Sequence, residues 1–193
     1  MTYQGVKFKT KMLGSEIPQD LRLEGLKDWC KKFHHYNLAP PYEGGSYGNL
    51  SFRLQDGQDQ FIITGTKIGL KNELADDCFV RIQSCDLEKG TVYAHGMREP
   101  SSESMLHFAI YHQRKDVNAI FHGHCQKILS KASKLKITET VKEEPYGTVE
   151  LVQGVLDILN DKSFLIMKEH GFISLGKNIK EAGELALQMY KKC

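Results

Sequence analysis

The chain has 193 residues, of which 40% are hydrophobic and 26% are charged, an ordinary composition for one globular domain. Its formal net charge of +2 gives no basic field for binding nucleic acid. The five cysteines are odd in number and never spaced as C-x-x-C, which argues against a disulfide framework or a structural zinc knuckle. No apolar run approaches the roughly 18 residues that a membrane span needs. We therefore expect a cytoplasmic protein with one domain over residues 1–193, and no nucleic-acid or membrane partner.

The first half of the chain predicts one helix followed by strands. Residues 18–35 have apolar side chains at spacings of three and four, which is typical of an amphipathic helix with Pro18 near its first turn. These side chains are Leu23, Leu26, Trp29 or Cys30, and Phe33. The Gly/Pro-rich stretch APPYEGGSYGN ends this helix, and the stretches LSFRL and QFIITGT each predict a strand. DCFVRIQSC and GTVYAHG, separated by DLEK, predict a hairpin.

The second half of the chain alternates helices with strands. SSESMLHFAIYHQ predicts a helix capped by Ser101 or Ser102, with Met105, Phe108, Ala109 and His112 on one helical stripe. VNAIFHGH predicts a strand, QKILSKASKL a short helix and TVELVQGVLDIL a longer one. SFLIMKEHGFISLG predicts two apolar strands, and NIKEAGELALQMYKK a closing helix. This pattern predicts an α/β domain with an antiparallel-rich sheet covered by helices.

The stretch AIFHGHC places two histidines on either side of a glycine at the end of an apolar run. Alternate side chains of a strand share a face, so His122 and His124 should project together with Cα atoms roughly 6.6 Å apart. His170 follows FLIM and precedes Gly171, which puts a third imidazole where another strand leaves the core. Three neutral imidazoles with one open position form a catalytic zinc-type site. For the H-x-H pair alone, two partly buried, locally hydrogen-bonded histidines are the alternative.

The other cysteine and histidine side chains near these positions fit a ligand role less well. Cys125 adjoins His124, but it points to the opposite face of the strand and is excluded as a ligand. Five histidines are expected to be structural or exposed because they lie on helices or at strand ends: His34, His35, His95, His107 and His112.

Glu103 supplies a carboxylate in the segment PSSE, in the first turn of a predicted helix. Unpaired N–H groups and the positive end of the helix dipole favour anions there. An N-cap serine followed by a first-turn acid is the ordinary structural interpretation of the same pattern. The glycine-flanked loop GGSYGNLS, with Asn49, and the loop TGTK can bring further polar groups to the same anion.

GGSYGNLSFR, IITGTKIG, PSSES, HGHC and KEHGFISLG occur in the order and approximate spacing of the class II aldolase and adducin-head family, which the chain resembles over about residues 20 to 190. The resemblance implies a three-layer domain with a central, mostly antiparallel sheet covered by helices. It also implies a divalent metal bound by His122, His124 and His170, with Glu103 as the acid/base that touches the metal when substrate is absent. Zinc is the expected ion, with manganese, cobalt or iron as competitors. The phosphate-binding positions of the family correspond to Gly48, Asn49, Thr66, Lys67, Ser101 and Ser102.

The activity that the resemblance implies is that of a class II, metal-dependent aldehyde-lyase in carbohydrate metabolism. The expected reaction cleaves a ketose 1-phosphate, of the fuculose-1-phosphate type, to dihydroxyacetone phosphate and an aldehyde through a metal-stabilised enediolate. A homotetramer with active sites at subunit contacts is implied as well. A dehydratase or decarboxylase of the same fold is the alternative, and Glu139, Glu143 and Glu144 are candidate acids for a dehydratase. A non-catalytic, adducin-like interaction domain would be expected to lose the metal ligands.

Two features depart from the family pattern. Lys67 stands where the phosphate loop usually has glycine, and we expect it to add a positive charge for phosphate. The alternative is that its side chain crowds the site and changes the substrate. The segment between His124 and His170 is short, and the tyrosine acid that the fuculose-type aldolases lend from a neighbouring subunit has no evident counterpart. Tyr146 is the only tyrosine in this segment.

Overall fold

The computed structural model describes residues 7–193, and its centre is a nine-stranded sheet. In chain order, the strands of this sheet are β1 (Lys9–Gly14), β4 (Asn49–Arg53), β5 (Phe61–Thr64), β6 (Phe79–Asp86), β7 (Thr91–His95), β8 (Ala119–Gly123), β9 (Thr138–Glu139), β10 (Phe164–Met167) and β11 (Gly171–Gly176). Their spatial order is β1-β7-β6-β5-β4-β8-β11-β10-β9. The outermost pairs β1–β7 and β9–β10 are parallel, and the pairs between them are antiparallel. A separate small hairpin consists of β2 (Pro41–Tyr42) and β3 (Gly45–Ser46).

Five α-helices are present in the part of the chain that the structure describes. They are α1 (Arg22–His35), α2 (Ser104–Gln113), α3 (Gln126–Leu129), α4 (Val149–Leu159) and α5 (Ile179–Lys192). Two of them begin at a side-chain cap: the Thr148 hydroxyl accepts from the Leu151 N–H, and the Asn178 side-chain oxygen accepts from the Glu181 N–H. Within residues 7–193, none of the helices is both long and apolar enough to cross a membrane.

Successive residues of the central strands pack into two different hydrophobic clusters. Ile62 and Phe121 belong to a cluster that includes residues of α1, α3 and α5, whereas Phe61 and Ile120 belong to one that includes residues of α2 and α4. Because a strand turns neighbouring side chains to opposite faces, both faces of the central strands are buried. Each fully buried apolar side chain contributes about 1.5–3 kcal/mol relative to its exposed state.

The structure confirms most of the predicted elements. LSFRL and QFIITGT contain β4 and β5, and the predicted hairpin is the antiparallel pair β6–β7. SFLIMKEHGFISLG forms the antiparallel pair β10–β11. The sheet is mostly antiparallel and carries helices, as expected for an α/β domain.

Other boundaries were wrong. The first helix begins at Arg22, so Pro18 lies before it, and the helix predicted over QKILSKASKL is limited to Gln126–Leu129. Within the predicted stripe of α2, Met105 and Ala109 are buried, Phe108 is half-buried and His112 is exposed. The helix packs against both the sheet and α4, so residues on more than one of its faces are buried, including Leu106, His107, Ile110 and Tyr111.

Candidate active site

Three histidines come together at one end of the central strands. The ligand atoms of His122, His124 and His170 all lie within 4.8 Å of one another. His122 is on β8 and His124 directly follows this strand, while His170 lies in the turn between β10 and β11. Since β11 pairs with β8, the turn that carries His170 is folded against the end of β8.

Gly171, next to His170, makes this close approach sterically possible. A Cβ atom at this position would lie 2.5 Å from the carbonyl oxygen of Gly123 and 2.7 Å from Cε1 of His122. Backbone cannot yield to such a contact without moving the strands, so a side chain at position 171 would separate β11 from β8. The glycine is therefore part of the geometry that brings His170 to His122.

The proton position on His122 is set by the backbone of β11. The Nδ1 atom of His122 lies 2.9 Å from the carbonyl oxygen of Phe172, which can only accept, so Nδ1 carries the proton. Burial lowers the pKa of His122 to about 4, against the opposing effect of Glu103, so the ring is neutral at pH 7. Its Nε2 atom then has a lone pair directed at the site, 2.9 Å from Nε2 of His124 and 3.1 Å from Oε2 of Glu103.

This donor set fits a metal ion. Burial, and then the neighbouring His122 and His170, also hold the pKa of His124 well below its usual value, so a second neutral imidazole faces the same point. Lone pairs of imidazole nitrogens and a carboxylate converge at distances that are unfavourable without a proton or a cation between them. Neutral imidazoles with a nearby carboxylate are the ligands that zinc and other divalent transition metals take.

Glu103 reaches the histidines from the start of α2. Its Oε1 atom lies 3.0 Å from Nε2 of His170, and its Oε2 atom accepts a hydrogen bond of 2.9 Å from Nδ2 of Asn49. The expectation that Ser101 or Ser102 caps the helix was wrong, because Glu103 itself occupies the N-cap position and no side chain caps the helix. The Glu103 side chain is directed into the site, and its backbone N–H donates to the Ser101 hydroxyl at 3.4 Å.

Glu103 is ionised at neutral pH although it is only 4% exposed. Burial alone raises the pKa of its carboxyl group, but the neighbouring His122 and His170 and the hydrogen bonds from His170 and Asn49 lower it further than burial raises it. The pKa therefore lies well below its usual value. A buried carboxylate beside three imidazoles is suited to exchange a proton with a bound molecule.

All six residues expected to bind phosphate line one cavity together with the histidines and Glu103. They are Gly48, Asn49, Thr66, Lys67, Ser101 and Ser102. Lys67 has a φ of 53°, the left-handed conformation that favours glycine, so the backbone at this position keeps a shape that glycine adopts easily. Its side chain is exposed at the cavity.

The cavity also contains aromatic residues that the sequence patterns did not single out. The Tyr47 ring lies 4.7 Å from that of His124, and the Tyr42 ring lies 4.9 Å from that of Tyr47. Both tyrosines lie in the segment that the sequence analysis considered only for its glycines and Asn49. The tyrosines on either side of the Gly-Gly pair were the sequence signal that could have identified them. Tyr146 lines the same cavity.

Of the three candidate acids for a dehydratase, two line the cavity and one does not. Glu143 and Glu144 line the cavity, whereas Glu139, on the edge strand β9, is exposed and is not among the lining residues. Glu144 also forms an ion pair of 2.8 Å with Lys142. Two of the three candidate acids for a dehydratase are thus near the histidines.

Lys71 is a buried cation beside this cavity that sequence reasoning missed. Only 1% of the residue is exposed, and its Nζ atom donates to the hydroxyl oxygen of Ser46 at 3.2 Å and to the Ser46 carbonyl at 3.4 Å. Among residues 7–193, no carboxylate forms an ion pair with it. Burial lowers the pKa of Lys71 to about 8. Ser46 lines the cavity, so a positive charge lies directly behind one of its walls.

The remaining histidines and Cys125 have other roles, as expected. His107 is buried with Nδ1 2.8 Å from the Ser51 hydroxyl, and His112 pairs with Asp59 on the surface at 2.8 Å. His95 lies 3.2 Å from a carboxylate oxygen of Glu16. Cys125 packs in the first hydrophobic cluster, away from the histidine group.

The fold is shared with solved structures of other proteins. A solved sugar-phosphate aldolase from Thermotoga maritima superimposes with a TM-score of 0.72 at 21% identity, over 88% of this chain and 90% of that one. The family described as Class II Aldolase and Adducin N-terminal domain matches residues 24–193. The chain belongs to this family, which confirms the resemblance seen in its motifs. Class II aldolases use a divalent metal, in agreement with the histidine cluster.

Curated proteins similar to this chain include aldolases named for two different phosphorylated sugars. An L-fuculose phosphate aldolase from Methanococcus maripaludis is 33% identical over 166 residues, which cover 78% of this chain and 84% of the relative. A 5-deoxy-D-ribulose 1-phosphate aldolase from Bacillus thuringiensis is 30% identical over 105 residues, which cover 47% and 49% of the two chains.

Proposed function

We propose that this protein is a metal-dependent aldolase that cleaves a ketose 1-phosphate to dihydroxyacetone phosphate and an aldehyde. The observation that carries this proposal is the convergence of three imidazoles and an ionised, buried Glu103 in a cavity lined by the predicted phosphate-binding residues. Relatives that act on ketose 1-phosphates support the reaction class.

The proposed metal ligands are His122, His124 and His170, which would hold one divalent ion per chain. Zinc suits three imidazoles best, and manganese, cobalt and iron are the competitors. When bound, such an ion polarises the carbonyl of the substrate and stabilises the negative charge that develops as the carbon–carbon bond breaks. A lysine that forms a Schiff base is then unnecessary.

Six residues that line the cavity would hold the phosphate of the substrate, with backbone N–H groups near the start of α2 as further donors: Gly48, Asn49, Thr66, Lys67, Ser101 and Ser102. A helix N-terminus with unpaired N–H groups favours an anion, and α2 begins directly after these serines. Fixing the phosphate orients the reacting carbons relative to Glu103, and this orientation itself lowers the barrier.

Glu103 would carry the proton of the reaction. In the cleavage direction, the carboxylate of Glu103 accepts the proton of the C4 hydroxyl, the C3–C4 bond breaks as the carbonyl of the aldehyde forms at C4, and the electron pair of that bond remains on the C3 side as an enediolate. A proton delivered to C3 by Glu103 then completes dihydroxyacetone phosphate. The short contacts of Glu103 with two of the proposed ligand imidazoles support this role.

A homotetramer in the cytoplasm, with active sites at subunit contacts, is the proposed working form. The family resemblance supports this assembly. The segment between His124 and His170 has no evident counterpart of the tyrosine acid, so a neighbouring subunit is a plausible source of an acid group. Light scattering on the active protein tests it, and a stable monomer with full activity contradicts the tetramer.

A sugar-phosphate dehydratase is the second candidate, favoured by the position of Glu143 and Glu144 in the same cavity. A decarboxylase has no specific structural support, and the retained histidines and Glu103 argue against an adducin-like interaction domain. Product analysis with a panel of ketose 1-phosphates decides between the two enzymes. Dihydroxyacetone phosphate with an aldehyde supports the aldolase, and a dehydrated sugar phosphate of unchanged carbon number supports the dehydratase.

A further inference from the structure

Lys71 links two loops of the proposed phosphate site from behind the cavity wall. Its Nζ atom donates to the hydroxyl and to the carbonyl oxygen of Ser46, at 3.2 and 3.4 Å. The Ser46 hydroxyl in turn donates to the carbonyl oxygen of Gly69 at 3.1 Å. Ser46 belongs to the loop GGSYGNLS, and Gly69 follows shortly after the loop TGTK. One buried ammonium group therefore lies where two loops that contain proposed phosphate-binding residues meet.

The positive charge of Lys71 has no counter-charge within residues 7–193. Only 1% of the residue is exposed, and none of the carboxylates that the structure describes forms an ion pair with it. An ammonium group has three N–H donors, and both acceptors described for Lys71 are neutral oxygens of Ser46. Burying a charge without a partner destabilises a protein, so an anion bound nearby would be favoured.

The charge of Lys71 acts on the cavity without contact. Ser46 lines the cavity, and Lys71 is not a lining residue, so its effect on a bound molecule is electrostatic. Burial is the main cause of the lowered pKa of His122 and of His124, and the charge of Lys71 lowers both further. The positive charge therefore reaches the cavity at which these two imidazoles lie. Charges interact over longer distances in a protein interior than in water.

The ammonium group of Lys71 loses its proton in a range that can be measured. Burial lowers the pKa of Lys71 to about 8. Cys30 of α1, His122 and His124 are titratable groups that interact with Lys71. Burial raises the pKa of Cys30 to about 12, and the pKa values of both histidines are lowered, so none of the three changes its charge between pH 8 and 10. A change of anion affinity in this window would thus report the charge of Lys71.

We infer that Lys71 is a positioning residue of the phosphate site, which holds the two loops together and attracts the phosphate dianion of the substrate through the wall that Ser46 forms. The inference rests on the proposed function for the identity of the anion, and it adds a residue that does not touch the substrate. Binding of the dianion and protonation of Lys71 should favour each other. Phosphate affinity should therefore fall as the pH rises above about 8.

Three variants separate the charge of Lys71 from its structural role. Lys71→Met keeps the length of the side chain and removes the charge. Ser46→Ala removes one acceptor but keeps the ammonium group and the carbonyl that accepts from it. Lys134→Met, at an exposed lysine, is the matched control for the loss of one positive charge.

Calorimetry of the metal-loaded protein with inorganic phosphate, from about pH 7.5 to about pH 10.5, measures the effect, since free phosphate is mainly the dianion in this range. At the lower end, Lys71→Met should bind phosphate about tenfold more weakly than the unchanged protein. The difference should shrink above pH 8 and vanish near the upper end, where the lysine is neutral. Lys134→Met should follow the unchanged protein, and Ser46→Ala should keep the fall of affinity with pH.

Parallel pH profiles of Lys71→Met and the unchanged protein would indicate a structural role alone and overturn the inference. Equal affinity of the two proteins at pH 7.5, or an unchanged protein that binds no phosphate, overturns it as well. If Lys71→Met does not fold, Lys71→Gln enters the same measurements. If the unchanged protein binds phosphate but cleaves no ketose 1-phosphate, the proposed function fails, whereas converging pH profiles still support the role of Lys71.

Discussion

His122 is hydrogen-bonded through Nδ1 to the carbonyl oxygen of Phe172, on the strand that begins directly after His170. One backbone contact therefore fixes both the proton on His122 and the distance between the strands that carry two of the proposed ligands. This is the arrangement by which a partner on one ring nitrogen leaves the other nitrogen free for a metal.

Replacing this histidine should abolish metal binding. We expect purified protein to hold about one divalent ion per chain, and His122→Ala to hold none, because two remaining imidazoles give an incomplete ligand set. Elemental analysis by mass spectrometry measures the ion content. His112→Ala, a change at an exposed histidine, is the control and should retain the ion. Equal metal content in the two variants contradicts the ligand assignment.

Glu103→Gln tests the proton transfer. The amide keeps the size of the side chain but cannot accept a proton, so cleavage should fall by the roughly 10²- to 10⁴-fold typical of a lost general acid or base. Metal content and phosphate affinity should remain. Mass spectrometry identifies the products. A dehydrated product that disappears when Glu143 or Glu144 is changed, but not when Glu103 is changed, contradicts the role proposed for Glu103.

Lys67→Gly separates backbone strain from phosphate binding. Lys136 has the same φ of 53° but is exposed and outside the cavity, so Lys136→Gly is a matched control. Both variants should lose the left-handed strain, and stability should change by no more than about 1 kcal/mol in either direction, since glycine also has more freedom in the unfolded chain. Only Lys67→Gly should weaken inorganic phosphate binding in calorimetry. Equal phosphate affinity in both variants would show that Lys67 is not a phosphate ligand.

Lys71→Met should make the protein more stable at pH 7. The pKa of Lys71 is about 8 in the folded chain and about 10.5 when unfolded, so the unfolded chain binds the extra proton more readily. This costs the folded state about 3 kcal/mol below pH 8, partly offset by the hydrogen bonds to Ser46.

The same pKa shift sets the pH dependence. The cost of burying the charged lysine disappears as pH rises from 8 to 10.5, so the advantage of Lys71→Met should shrink over this window. Urea denaturation at several pH values measures it, with Lys134→Met, a change at an exposed lysine, as the control. An advantage that is constant from pH 7 to 10.5 would contradict a charged, buried Lys71.

Several features of the site are present in local sequence. The alternation in AIFHGH predicts that His122 and His124 share one side at the end of a strand. The apolar run before His170 predicts that a third imidazole lies near the end of a second strand. These predictions depend on strand periodicity, which is a local property. The pairing of β8 with β11, which makes the three imidazoles neighbours, is not local and entered only through the family resemblance.

Other features depend on contacts that no local pattern contains. Lys71 is buried because Ser46, 25 residues earlier in the chain, supplies its acceptors. Strand β1 was missed because its apolar residues Met12 and Leu13 are 41% and 51% exposed, and backbone pairing with β7 gives it its strand conformation. The N-cap of α2 was misassigned because serine is the commoner cap, whereas here the glutamate is drawn to the histidines by tertiary contacts.

The order in which the strands are synthesised determines when the three histidines and Glu103 can first come together. Asn49 and Glu103 are synthesised before His170, and His170 takes its place only after β11 has been made and has paired with β8. A growing chain therefore has no assembled ligand set until most of the protein has been translated. Uptake of the ion should coincide with the last stage of folding. The time course of metal uptake, followed with a fluorescent metal indicator, would then report the rate of that stage.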